Sequence, residues 1–423
     1  MTQRYDTYKD SGVQWLGEIP GHWGVFQFRK FFKIKKEIAG REGIDVLAIT
    51  QQGIKIKDIT RNEGQIAANY SGYQIVNPSE FAMNHMDLLT GYIDISKFYG
   101  VTSPDYRVFA NVSEEANSKY YLYVFQLCYK LRIFFGLGQG VANKGRWRLP
   151  AKQLNTFNLP LPPLSEQRSI VSFLDAKCGM IDEWVIKKQK EVEHLQELKQ
   201  RVIADAVTRG LNPHVKMKAT NIPWLKEIPE HWENKRLAAM FTDDIETNKD
   251  FQYKRAFKFN YGCLVPKNEI GDPEEYRAVY IKYSIVNTGD ILINGLNLNY
   301  DFISQRVACA TSGGIITSAY VVCRPRPNVN YDYYTYLFKA MDSMKLFHGM
   351  GTGIRLTLSF KELKKQILLV PPIEEQRAIV MFINDKTSKI DKLITNITKE
   401  IECIKEYKQR LISNVVTGQI KVC

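Results

Sequence analysis

The sequence predicts an α+β chain of two tandem mixed α/β domains, separated by two long helices that form an antiparallel coiled coil with pseudo-twofold symmetry. Three observations predict it. Segments of the first half return in the second at a constant offset of 209 residues, short β-type runs alternate with turn residues and helical patterns in each half, and each half ends in an apolar stripe of heptad type.

The repeat has three anchors. Trp15-Leu-Gly-Glu-Ile-Pro-Gly-His-Trp23 returns as Trp224-Leu-Lys-Glu-Ile-Pro-Glu-His-Trp232, with seven of nine positions identical. Leu161-Pro-Pro-Leu-Ser-Glu-Gln-Arg168 returns as Val370-Pro-Pro-Ile-Glu-Glu-Gln-Arg377, and Lys199-Gln-Arg201 with Val207-Thr208 returns as Lys408-Gln-Arg410 with Val416-Thr417. Solenoid repeats have periods of about 20–50 residues, so a period this long is duplication of a domain. Between the anchors the halves diverge: Gln51-Gln-Gly-Ile-Lys-Ile-Lys57 has only a loose counterpart in Asn260-Tyr-Gly-Cys-Leu-Val-Pro-Lys267.

Each unit opens on the Trp/His segment, where Pro20 and Pro229 punctuate an irregular stretch and the tryptophans anchor the chain onto its domain. Strand-like runs come next at 46–50, 290–294 and 320–323, with helical patterns between Ser118 and Phe135 and from Tyr331 to Leu346. After Pro162-Pro163 and Pro371-Pro372 a helix begins in each half. Ser165 suits an N-cap, and Glu166, Glu374 and Glu375 suit the positive end of the helix dipole.

Apolar residues then recur at three- and four-residue steps. The first stripe holds Ile181, Val185, Val192, Leu195 and Leu198; the second holds Ile390, Ile394, Ile397, Ile401 and Ile404. At about 1.5 Å per residue, about 44 residues span roughly 65 Å, longer than a small domain is wide. Each helix is therefore expected to project from its domain and pair with the other. The expected boundaries are 1–163 for the first domain, 164–210 for the first helix, 211–372 for the second domain and 373–423 for the second helix.

A chain of 423 residues exceeds what one core usually serves, which agrees with two domains. Its formal net charge of +13 favours a polyanionic partner through counterion release, and nucleic acid comes first. A basic membrane-surface protein would gather its Lys and Arg in one tract, whereas here they are spread along the chain. The seven cysteines form no C-x-x-C pair and read as reduced thiols of a cytoplasmic protein. No apolar leader region and no run of eighteen apolar residues is present, so neither export nor membrane spanning is expected.

Catalytic signatures are missing from the sequence. Gly136-Leu-Gly-Gln-Gly140 and Gly349-Met-Gly-Thr-Gly353 lack the G-x-x-x-x-G-K-[ST] of a phosphate loop, and neither is succeeded by the acidic residue of a dinucleotide fold. The six histidines stand apart, without the spacing of metal ligands. No N-P-P-[YF] motif of a methyltransferase occurs. Both glycine stretches run into basic residues: Lys144, Arg146 and Arg148 in one half, Arg355 in the other. Such side chains suit DNA phosphates or guanine edges. The diverged interiors add Gln51, Gln52 and Lys267 as further DNA-binding candidates.

With these residues in hand, the sequence resembles the specificity subunit of a type I restriction-modification system. The W-L-G-E-I-P-x-H-W segment, the P-P-L-S-E-Q-R and P-P-I-E-E-Q-R junctions and the long helices ending in K-Q-R carry the resemblance. Glycine turns such as Gly100-Val-Thr-Ser-Pro-Asp-Tyr-Arg107 and Gly289-Asp-Ile-Leu-Ile-Asn294 add to it. It implies that each domain is a DNA target-recognition domain reading one half of a bipartite, asymmetric double-stranded site. The helices would set the gap and dock two modification (methyltransferase) subunits, which methylate adenine. ATP-dependent restriction subunits would complete an endonuclease complex. S-adenosylmethionine, ATP and Mg would belong to those partners, with no cofactor, metal or catalytic residue in this chain. The family's base-reading residues vary with target, so no motif transfers them. Where the first half reads Ser103-Pro-Asp-Tyr106 the second reads Ser318-Ala-Tyr320, which leaves that loop open. A self-contained methyltransferase or nuclease and a stand-alone regulator with two DNA-binding arms are the alternatives. The first would bind S-adenosylmethionine or hydrolyse DNA alone, and the second would bind its site without partners.

Overall fold

The computed structural model describes residues 3–59, 67, 69–140, 147–267, 272–300, 305–354 and 356–422. The chain forms two units: Met1–Lys188 with Lys399–Cys423, and Gln189–Thr398. Each holds one globular domain, the start of the long helix that leaves it, and the end of the other long helix.

In the first unit Gly24–Gln27 pairs antiparallel with Asn158–Leu161, so the chain entering the domain lies beside the chain leaving it. Between them runs an antiparallel sheet in the order Phe32–Lys35, Arg107–Asn111, Phe81–Met83, Ile93–Ile95. Helix Ser118–Lys130 is started by Asn117, whose side chain accepts from the N–H groups of Lys119 and Tyr120. Its buried face of Tyr120, Tyr121, Val124 and Phe125 shares one core with Phe28, Phe32, Phe81 and Phe109. Phe81 and Phe109 stack at 4.8 Å, and Phe125 meets both edge-on. Such aromatic pairs add about 0.5–1.5 kcal/mol beyond the area they bury.

The second unit repeats the plan. Glu233–Arg236 pairs with Ile367–Val370, and the sheet order is Phe241–Thr242, Val321–Pro325, Ile291–Ile293, Val307–Cys309. Helix Tyr331–Ser343, capped by Asn330, takes the place of Ser118–Lys130. The strand-like runs at 46–50, 290–294 and 320–323 are the strands Leu47–Thr50, Ile291–Ile293 and Val321–Pro325. The offset between equivalent elements drifts: entry and exit strands keep 209 residues, whereas Tyr331 stands 213 after Ser118. Insertions and deletions cancel within the domain.

The long helices are Leu164–Arg209 and Ile373–Val416. Ser165, expected as an N-cap, is instead the second residue of its helix, because the turn starts directly after Pro163. The Glu-Gln pair fixes the junction. Glu166 accepts from Trp23 Nε1 at 3.2 Å, from the Tyr5 hydroxyl, and shares a 2.9 Å hydrogen bond with His22 Nε2. Gln167 donates to the carbonyls of Pro162 and Glu115 at 2.9 Å. In the second unit Glu375 meets Trp232 Nε1 at 3.0 Å and His231 Nε2 at 2.8 Å, and Gln376 donates to the Pro371 carbonyl at 2.8 Å. The Trp and His of the repeated segment thus clamp the first turn of the helix that leaves their own domain.

Each domain helix also grips the incoming end of the other long helix. Tyr120 donates to the Val416 carbonyl at 2.8 Å, and Tyr333 to that of Val207 at 2.9 Å. Both phenols are wholly buried, and burial holds their pKa well above the ordinary value, so they stay donors. Of the stripe residues, Val185, Ile390, Ile397 and Ile401 are buried and Ile181, Val192, Leu195, Ile394 and Ile404 half-buried. Leu198, expected in the stripe, is exposed.

Candidate nucleic-acid interface

In the first unit strands Leu47–Thr50 and Gly53–Ile56 pair as a hairpin with Thr50 opposite Gly53, which leaves Gln51 and Gln52 as its two-residue tip. Gly53 has φ +103, and a Cβ there would stand 2.8 Å from Asp94 Oδ2, so both conformation and space call for glycine. Gln51 and Gln52 are exposed, and Gln51 donates to the Thr90 carbonyl at 3.2 Å. The tip is thereby tied to residues 84–92, the connection between the central strand Phe81–Met83 and the edge strand Ile93–Ile95.

The same connection meets the glycine stretch. Gln139 and Arg148 exchange backbone hydrogen bonds of 2.8 and 3.0 Å, and Leu149 N–H donates to the His85 carbonyl at 3.0 Å. Gly138 lies against the Trp147 indole, where a Cβ would stand 2.3 Å from Nε1, so this glycine permits a close approach. Arg148 is exposed. Burial pushes His85 down to about 3, with Arg107 and Arg148 adding to the shift, so it is neutral at pH 7 beside two guanidinium groups. Its Nδ1 is buried without a hydrogen-bond partner among the described residues. The surface therefore gathers exposed amides, which can bond adenine in bidentate fashion, and a guanidinium suited to guanine or phosphate.

In the second unit the equivalent hairpin, Phe257–Asn260 with Cys263–Pro266, turns through Tyr261 and Gly262 at φ 44 and 73. Positive φ at both is the type I′ turn that suits a two-residue hairpin. Residues 294–300 come directly after a central strand, and Arg306, fully buried beneath them, donates to the carbonyls of Asn294 and Leu296 at 2.9 and 2.8 Å. Leu298 N–H donates to the Leu356 carbonyl at 3.1 Å and Leu358 N–H to that of Gly295 at 2.9 Å, which ties this connection to the second glycine stretch.

Of the sequence candidates, Gln51 and Arg148 thus border residues 84–92, with Gln52 beside Gln51 at the hairpin tip. Lys267 does not stand at the corresponding tip; it lies at the base of its hairpin, where its amine meets the Tyr283 hydroxyl at 3.0 Å. Lys144, Arg146 and Arg355 lie outside the described residues. Sequence reasoning missed His85 and the exposed Tyr261, Tyr300 and Ile354. Tyr120 and Tyr333 share a signature, Lys119-Tyr-Tyr-Leu-Tyr123 and Asp332-Tyr-Tyr-Thr-Tyr336, but its spacing of 213 falls out of step with the 209 of the anchors, which hid it. Among the described residues no group of three or more His, Cys, Asp or Glu could hold a metal ion. No helix among them is long and apolar enough to cross a membrane.

Residues 23–194 and 229–403 match the family described as type I restriction modification DNA specificity domain. The type I restriction enzyme MjaVIII specificity subunit of Methanocaldococcus jannaschii is 27% identical over 292 residues, and the match spans 64% of this chain and 64% of that relative. Among solved structures, a chain described under complex assembly and conformational transition of the type I R-M system superposes with a TM-score of 0.67 at 14% identity, covering 94% of this chain and 98% of its own. The HsdS subunit from Thermoanaerobacter tengcongensis gives 0.51 at 14% identity, covering 95% and 98%. At such identities these structures speak for the fold.

Proposed function

This chain belongs to the type I restriction-modification DNA specificity family, whose part is to select DNA and not to transform it, and we propose that it reads a bipartite, asymmetric double-stranded site, one half with each domain. The observation that carries the reading is one frame presenting different side chains from equivalent loops. Gln51 and Gln52 form the hairpin tip in the first unit and Tyr261 and Gly262 in the second. A duplicated frame with unlike loops suits two unlike half-sites.

On this reading residues 1–163 and 211–372 are the target-recognition domains, and 164–210 and 373–423 are spacer helices that pair antiparallel, with pseudo-twofold symmetry. Support comes from two ion pairs, Asp182 with Lys408 and Lys199 with Asp391, whose partner numbers fall on the second helix as they rise on the first. The spacer sets the gap and docks two methyltransferase subunits, to which restriction subunits add. S-adenosylmethionine, ATP and Mg serve those partners. Gln51, Gln52, Arg148 and Lys267, with Lys144, Arg146 and Arg355, are the candidate DNA contacts.

The test is the adenine-methylation motif of cells carrying this gene with its partner genes, before and after one heptad is inserted in both helices, after Leu195 and after Thr395. The expected motif has two short defined blocks separated by a fixed gap. One heptad adds about 10 Å of helix, so at about 3.4 Å per base pair the gap grows by up to roughly three base pairs while both blocks keep their letters. A single continuous motif, or an active variant with the original gap, contradicts the reading.

A further inference from the structure

Three large apolar side chains of the second domain stand in water on adjoining loops: Ile354 is 97% exposed, Tyr300 79% and Tyr261 75%. Single exposed apolar residues are ordinary. Here, however, the three sit on loops bonded or packed together. Asn299 Nδ2 donates to the Ile354 carbonyl at 3.4 Å, and Gly262, next to Tyr261, lies so close to Gln305 that a Cβ would stand 2.8 Å from its Oε1. Ile354 is also held outward. Thr352 and Thr357 exchange backbone hydrogen bonds of 3.1 and 2.9 Å, Gly353 turns at φ +79, and Leu356 N–H donates to the Gly353 carbonyl at 3.1 Å. The equivalent hairpin tip of the first domain presents Gln51 and Gln52 instead of Tyr261 and Gly262, and Arg148 stands where the second domain has Thr357.

We propose that Ile354, Tyr300 and Tyr261 are a specificity element of the second domain, which reads thymine through its 5-methyl group in the major groove. The inference rests on the half-site reading above and names the chemistry by which one half is read. In the major groove thymine alone offers a methyl group beside its O4 acceptor, so a fixed apolar side chain prefers it to the other bases. The first domain, with amides at its hairpin tip and a guanidinium where the second has Thr357, reads by hydrogen bonds. The two half-sites then differ in kind, the second being marked by thymine.

The experiment uses the full chain with its modification subunits and duplexes carrying the methylated motif. Each thymine of the half-site assigned to the second domain is replaced by deoxyuridine, which removes only the methyl group. Affinity should fall about four-fold at a contacted position, the equivalent of the ~0.8 kcal/mol of one buried methyl-sized group. The same replacement in the first half-site should leave affinity unchanged. Ile354→Ala should weaken binding to the thymine duplex and abolish the further loss at its contacted position. Three results overturn the inference: a second half-site without thymine, wild-type affinity indifferent to deoxyuridine throughout that half-site, or an Ile354→Ala loss equal on every duplex, which is the mark of an apolar wedge. A wild-type complex that fails to distinguish its motif from scrambled DNA refutes the half-site reading itself, and this inference with it.

Discussion

Lys199 donates to both carboxylate oxygens of Asp391 at 2.7 Å, and 209 residues from each the roles are exchanged, with Lys408 donating to Asp182 at 2.6 and 2.7 Å. The Lys of each repeated K-Q-R therefore has a specific partner on the other helix. Ion pairs this exposed contribute about 0–1 kcal/mol. Lys199→Ala and Lys408→Ala should each lower the unfolding free energy by less than about 1 kcal/mol. Lys199→Asp should cost more, and adding Asp391→Lys should recover that cost. Chemical denaturation of the four variants checks this, and the absence of recovery in the double variant would show that the pair is incidental.

The clamp on the first helix is the more costly one to break. Glu166 is buried and receives Tyr5, His22 and Trp23, whereas Glu375 is more exposed and receives His231 and Trp232. A buried donor left without its acceptor costs about 1–3 kcal/mol. Glu166→Ala should therefore destabilise by roughly 2 kcal/mol or more, and Glu375→Ala by less. Equal shifts in denaturation midpoint would contradict the ranking.

His85 gives the first unit a pH dependence. Burial first, then Arg107 and Arg148, push it down to about 3, against about 6.5 in an unfolded chain. Between those values the unfolded state binds the proton and the folded state does not. The contribution is thus fully present above about pH 6.5 and is lost as pH falls toward 3. Thermal unfolding from pH 7 to pH 4 should show a steeper decline for the wild type than for His85→Gln; parallel declines would remove His85 as the cause.

At the proposed DNA surface, Arg148→Ala should weaken cognate binding by about 1–3 kcal/mol if the guanidinium meets a base edge. If it meets a phosphate, the loss is uniform across sequences and the salt slope falls by about 1. Gln51→Ala with Gln52→Ala should relax the first half-site only. Unchanged affinity, slope and motif in folded variants would take this hairpin and Arg148 out of the interface.

Much of this fold was legible because its joints repeat. Trp23, Glu166 and Lys199 recur at one spacing because each belongs to a joint between domain and helix or between helices, where geometry tolerates no insertion. The domain interiors hid their equivalence, since loops around the same sheet take different lengths and move Tyr333 out of step with Tyr120. Ser165 misled because a good capping residue came straight after Leu164, while the helix had already begun at the end of Pro162-Pro163. The site was less legible than the fold. The glycine stretches pointed to Lys144, Arg146, Arg148 and Arg355, and the diverged interiors to Gln51, Gln52 and Lys267. Pattern alone could not tell that Ile354 faces water and Leu358 the core, because a solvent-facing apolar residue looks like a buried one until the loop around it is seen.

If one domain reads one half-site, exchange of a single domain should change half of the motif and leave the rest. Residues 15–160 are replaced by the corresponding domain of a related chain, the partner subunits are supplied, and the methylated motif of the host is read. One block of the motif should change while the other block keeps its letters. A variant that alters both blocks together, or that remains active and alters neither, would contradict the claim.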